Sequence, residues 1–219
     1  MAVASFFRVE GALSPHSSKH AAAWLAANAQ YIGERLTRLT TVALSLPLSQ
    51  LADPTVAARI SWSALRKLSD DRIRILGEEY FATHMADKLN PTGVALLERA
   101  RSEGHQIILL SDNLDAMVRP LAKLLNADDL VCNRMGFRRG VATGRLTDPV
   151  FTSKTSGQWL RHYADSHGID LSQSCAYGAT TDDATLLSAI GRPCTISPDR
   201  GLRRLAKELD WPIAAEEAS

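Results

Sequence analysis

Four short stretches of this chain set polar, chemistry-capable side chains where an apolar segment ends. Arg8 and Glu10 close the apolar run Ala4–Phe7, and Ser111, Asp112 and Asn113 follow Ile107–Leu110. Lys154 stands before a helical pattern, and Gly178–Asp183 follow another apolar run. Glu10 and Asp183 are carboxylates, able to accept a proton or to supply oxygen to a hard cation. Arg8, Ser111, Asn113 and Lys154 are donors suited to an anion such as a phosphate. Arg8 keeps its proton at any usable pH and has no lone pair to offer, so it cannot act as a nucleophile or a base. Each stretch also has a plain structural role open to it. Ser111-Asp112-Asn113 reads as a helix N-cap, Lys154 as a solvated lysine, and Asp182-Asp183 as an acidic first turn suited to a helix dipole.

The elements that must carry these residues follow from periodicity. Ala4–Arg8 reads as a strand, and residues two apart on a strand face the same way, so Arg8 and Glu10 are expected to look into one crevice. From 17 to 88 the pattern is helical. Leu25, Ala29, Ile32, Leu36 and Leu39 recur at steps of four and three, with Trp24 and Tyr31 widening that face, and Pro47 and Asp53-Pro54 break the run. Beyond Pro91, strands and helices alternate. The spacing predicts a helix at 91–103 and a strand at 106–110, then a helix at 114–125 and a strand at 130–132. A hairpin over 135–146 with Gly140 at its tip comes next, then a helix at 154–167 capped by Gly168. A strand at 174–178, a helix at 183–190, a strand at 193–196 and a helix at 199–209 complete the pattern. Such alternation means a parallel sheet covered on both faces, with sites outside the carboxyl ends of its strands. That rule selects the four stretches.

Their order and spacing resemble the haloacid dehalogenase (HAD) superfamily, in its phosphoserine-phosphatase-like branch. The strand ending Arg8-Val9-Glu10-Gly11-Ala12-Leu13 stands where that family has Asp-x-Asp-Gly-Thr-Leu. Ile107–Ser111 is similar to its second motif, Lys154 to its third-motif lysine, and Tyr177–Asp183 to its fourth, Gly-Asp-Ser-x-x-Asp. The resemblance covers nearly the whole chain. It implies an α/β fold with a Rossmann-like parallel sheet core formed by 1–15 and 89–219, and an inserted all-α cap at 16–88. It also implies an aspartyl-phosphate mechanism assisted by Mg²⁺, and here the pattern departs from the family. The nucleophile position is Arg8, the general acid/base is Glu10, the Thr is Ala12 and the first Asp of the fourth motif is Ala179. Ser111, Lys154 and Asp183 remain.

The expected reading is therefore a HAD-fold pseudoenzyme lacking phosphatase activity, with no intact catalytic set, no metal and no cofactor. Its vestigial pocket would hold Arg8, Glu10, Ser111, Lys154 and Asp183. It would act by binding a phosphorylated small molecule or a protein partner through cap and pocket, with Trp24, Tyr31 and Trp62 as candidates for the inner cap face. The alternatives are a Mg²⁺-dependent phosphomonoester hydrolase with altered catalytic residues, and a purely structural subunit. Arg8 is expected to pair with Asp183 or Glu10, since an unpaired buried charge is very costly.

Composition narrows the partner classes. The 219 residues carry 25 basic and 24 acidic side chains, a net charge of +1, which gives no reason to expect nucleic acid. Cys132, Cys175 and Cys194 lack metal-ligand spacing and fit a reduced, cytoplasmic setting. The N-terminal apolar stretch is interrupted by Arg8 and Glu10, unlike a signal peptide. The mild apolar run 41–52 is too short to span a bilayer. Among the six histidines, His16 and His20 lie four apart and read as flexible surface groups, and Arg138-Arg139 reads as a solvated hairpin tip.

Overall fold

Six parallel strands form the centre of the molecule in the computed structural model, which describes residues 1–28, 36–44 and 53–214. The sheet order is β3-β2-β1-β6-β7-β8, with β1 at Ala4–Arg8, β2 at Gln106–Leu114, β3 at Asp129–Asn133, β6 at Cys175–Gly178, β7 at Arg192–Ile196 and β8 at Ile213–Ala214. All five residues of β1 are buried, as expected for a strand covered on both faces. Alternate side chains divide between the two faces. Phe7, Ile107 and Leu109 enter one core, while Phe6, Ile108 and Leu110 enter the other.

Helices cover both faces, as alternation predicts. On the first lie α1 (Ser18–Ala27), α4 (Pro91–Ser102) and α5 (Asp115–Leu124), contributing Leu25, Leu97 and Leu121, and α2 (Pro54–Ser63) and α3 (Asp70–His84) join the same core through Trp62 and Tyr80, packed on α1 and, for α3, on α5. On the second, α6 (Ser156–His167), α7 (Ala184–Leu187) and α8 (Arg200–Glu208) contribute Leu160, Leu187 and Leu202. Local chemistry sets the ends. The Ser17, Ser69, Asn90 and Asp199 side chains each accept from a first-turn backbone N–H. Gly168 closes α6 in the left-handed region, at φ 65°. The 135–146 hairpin forms as β4 (Met135–Arg138) and β5 (Val141–Leu146), antiparallel, with Arg139 and Gly140 both at positive φ in its turn.

Several expectations need correction. β2 runs to Leu114 rather than 110, with a register irregularity against β3 between Leu110 and Leu114. Ser111-Asp112-Asn113 thus belongs to the strand end and caps no helix, since α5 begins at Asp115 with no side-chain cap. The predicted 183–190 helix is a single turn, Ala184–Leu187, preceded by a 3₁₀ turn at Thr181–Asp183. Leu36, assigned to an apolar face, is 67% exposed, while Ala29, Tyr31 and Ile32 lie outside the described residues. His16, His20 and His84 are not loose surface groups. The His16 and His20 rings stack with centroids 4.3 Å apart, His84 meets them edge-on at 5.5 and 5.0 Å, and His20 Nδ1 lies 3.0 Å from the Tyr80 hydroxyl. Trp24 packs edge-on against Tyr80, so it serves the core; Trp62 is buried.

Candidate functional site

The site is built at the carboxyl ends of β1, β2 and β6. Gly11 makes its first turn possible, at φ 85°, where a Cβ would also stand 2.7 Å from the Ala179 Cβ. This close approach brings the loop after β1 against the loop after β6. At Gly178 a Cβ would lie 2.8 Å from the Asp183 Cβ, so glycine lets Asp183 turn back beneath the strand end. The irregularity in β2 re-aims Ser111, Asp112 and Asn113 into the same crevice. Asn133, fully buried, ties the wall together. Its Nδ2 donates to the Asp112 and Phe151 carbonyls, and its Oδ1 accepts from Phe151 N, each at 2.9 Å.

Arg8 is the hub. It is 2% exposed, and its guanidinium meets three carboxylates: Nε donates to Asp183 Oδ1 at 2.9 Å, and Nη2 lies 2.8 Å from Asp112 Oδ1 and 3.0 Å from Glu10 Oε2. Its Cζ also lies over the Phe151 ring, 5.6 Å from the centroid. The remaining carboxylate oxygens are occupied too. Glu10 Oε1 accepts from Ser111 Oγ at 2.6 Å and Asn113 Nδ2 at 2.8 Å. Asp183 Oδ2 accepts from Ala179 N, Thr180 N and Thr180 Oγ1 at 2.9 to 3.1 Å, and Asp112 Oδ2 accepts from Ser153 Oγ at 3.1 Å. Burial pushes the Glu10 carboxyl up from its ordinary value; Arg8 opposes this and the Asp112 charge adds to it. Burial would lower the Arg8 guanidinium, but Asp112, then Glu10 and Asp183, outweigh it and raise it.

The expected Arg8–Asp183 and Arg8–Glu10 pairs are both present. Asp112 joins them, giving three carboxylates around one guanidinium. Lys154 stands apart, half-exposed, with its Nζ 3.8 Å from Asp182. Of the four donors expected to serve an anion, Ser111 and Asn113 spend theirs on Glu10, and Arg8 is ringed by carboxylates. Lys154 lines a small cavity of about 90 Å³ beside them, together with Lys19, Trp62, Asp112, Ser153 and Asp182. Sequence reasoning named neither Ser153 nor Thr180, which hold Asp112 and Asp183. Thr180's place three residues before Asp183 was the available signal; nothing local marked Ser153.

This arrangement is a family pocket with its ionic chemistry turned inward, and the comparisons agree on the family. A haloacid dehalogenase-like hydrolase model matches residues 9–188. The "Inhibition of morphological differentiation protein" of Streptomyces azureus is 32% identical over 141 residues, covering 62% of this chain and 50% of that protein. The phosphoserine phosphatase SerB1 of Mycobacterium tuberculosis is 28% identical over 138 residues, covering 63% and 45%. The chain thus spans about half the length of these curated relatives. A solved protein of unknown function from Bordetella pertussis superposes with a TM-score of 0.83 at 20% identity, covering 97% of this chain and 98% of that one. A phospho-aspartyl intermediate analogue structure of phosphoserine phosphatase does so at 0.67 and 16% identity, covering 100% and 95%. With the family model spanning most of its length, the chain belongs to the haloacid dehalogenase-like hydrolases, and it shares its parallel-sheet fold with phosphoserine phosphatase.

Proposed function

We propose that this chain is a pseudoenzyme of its family: it retains the fold and pocket but does not hydrolyse phosphate esters, and it acts by binding a partner in a cytoplasmic setting. The observation carrying this reading is the Arg8 guanidinium, held by Asp183, Asp112 and Glu10 at the end of β1. A guanidinium cannot attack phosphorus. The residues present also fit Mg²⁺ poorly. A hard cation needs free carboxylate oxygens, and those of Glu10, Asp112 and Asp183 already face a cation or hydrogen-bond donors. Arg8 thus serves as a built-in counter-cation. The net negative surroundings of Arg8 argue against an anion at that point. That favours a protein partner over a phosphorylated metabolite.

A second reading is favoured by the family's hydrolase character and by one residue. Asp112 is the carboxylate that both pairs with Arg8 and lines the cavity shared with Lys154. If the chain hydrolyses phosphomonoesters by an altered route, Asp112 is its candidate nucleophile, with Glu10 as proton carrier. A phosphatase assay over a broad panel of esters separates the readings. Turnover no faster than an Asp183→Asn control is expected. Turnover above that control, lost in Asp112→Asn or Glu10→Gln, would establish the hydrolase instead. Among the described residues no helix is long and apolar enough to cross a membrane, and the three cysteines carry free thiols.

A further inference from the structure

The chain is nearly neutral, yet one face is not. Between α2 and the β4–β5 hairpin runs a groove of about 900 Å³ whose walls, among the described residues, carry four guanidiniums, Arg59, Arg66, Arg138 and Arg145, and no carboxylate. Arg59 pairs outward with Asp148, which does not line the groove. For Arg66, Arg138 and Arg145, no carboxylate lies within ion-pair distance among the described residues. The floor is apolar, with Val56 and Val141 each 42% exposed and Ile60 between them in the lining.

The groove is a built feature. Gly144 sits at φ 75°, and a Cβ there would stand 2.9 Å from the Arg66 Cβ and 3.2 Å from the Ser63 carbonyl. Glycine lets the hairpin approach the end of α2 this closely. On the far side, Lys67 N donates to the Ala142 carbonyl and Ala142 N to the Leu68 carbonyl, fixing the hairpin to the chain that leaves α2.

We propose that this groove docks an acidic peptide segment of a partner protein, with apolar side chains interleaved among its carboxylates. Guanidiniums fork onto carboxylates with a geometry lysine cannot match. The apolar floor asks for side chains as well as charge. A concave channel suits a single extended chain better than a flat lipid surface. Among the described residues no aromatic ring lines it, so they offer no stacking platform of the kind single-stranded nucleic acid uses. The proposal goes beyond the reading of the pocket and holds whether or not the pocket turns over substrate.

The test uses the full chain and fluorescein-labelled octapeptides, read by anisotropy. An alternating Glu/Val peptide should bind saturably and weaken with salt. A Glu/Ser peptide should bind several-fold more weakly and a Lys/Val peptide not at all. Reversing two walls together, Arg66→Glu with Arg145→Glu, should weaken Glu/Val binding at least tenfold, and Arg204→Glu on α8 should not. A Gln pair at the same two positions, giving a smaller loss, covers the case where the reversal unfolds the protein. Absence of saturable binding, or binding indifferent to both wall variants, would overturn the proposal. So would tighter arginine-dependent binding of phosphatidylserine vesicles or of oligo-dT.

Discussion

Arg8→Ala removes the cation that pairs with all three carboxylates of a buried cluster. The cost can be worked from the contacts. The guanidinium makes ion pairs of 2.8, 2.9 and 3.0 Å, with Asp183 fully buried, the Glu10 side chain 9% exposed and Asp112 21% exposed. Removing one partner of a well-buried pair typically costs ~3–5 kcal/mol, mostly because the other charge stays behind unpaired. Asp112 can relax toward water, and Asp183 keeps its backbone donors, which holds the sum near that range rather than at three times it. For a chain of this size each kcal/mol moves the melting point by ~2–4 °C, so a drop of roughly 6–20 °C is expected. The pH dependence adds a signature. With Arg8 gone, the already raised Glu10 carboxyl rises further. Its penalty is full above that raised value and declines as pH falls from there toward the ordinary carboxylate value, so the gap from wild type should be widest near neutrality and narrow steadily on acidification. Urea melts of Arg8→Ala and Asp183→Ala, singly and combined, provide the check. A single-variant loss under about 0.5 kcal/mol would mean that Arg8 is not a structural counter-ion. Additive losses in the double variant would leave Arg8 and Asp183 uncoupled.

Three further outcomes are expected. Wild type should show no Mg²⁺-dependent rise in melting temperature at millimolar metal, while Arg8→Asp combined with Ala179→Asp should acquire one, as measured by scanning fluorimetry. Burial, then the neighbouring imidazoles and Lys88, hold His16 and His84 below the ordinary 6.5, so the native state binds fewer protons than the unfolded chain there. Stability should therefore be full above about pH 6.5 and fall as pH drops below it, and His16→Gln with His84→Gln should flatten that slope in urea melts at pH 7.5 and 5.5. Gly11→Ala should cost ~1–3 kcal/mol, because the new Cβ meets both a positive φ and Ala179; an unchanged urea midpoint would show that the two loops can part.

The chain's own pattern determined a good deal. Buried parallel strands need continuous apolar runs, so β1 and β2 stood out, and alternation with helices dictated the sheet. Because side chains alternate along a strand, Arg8 and Glu10 had to share a crevice, and a buried guanidinium had to find a carboxylate. The family's motif geometry, together with that cost, put Asp183 and Glu10 nearest. What periodicity could not decide was where β2 ends. The irregularity after Leu110 is set by pairing with β3, a contact more than twenty residues away in sequence, and it turns Asp112 inward and takes Ser111 away from any helix cap. The histidine cluster likewise depends on α1 meeting α3, which brings His84 to His16 and His20. The arginine groove joins side chains from α2 and from a hairpin some eighty residues further on. Local pattern fixes which elements form and which way a residue faces along its own element. Charge balance and grooves belong to pairs of elements, and only tertiary packing decides which pairs meet.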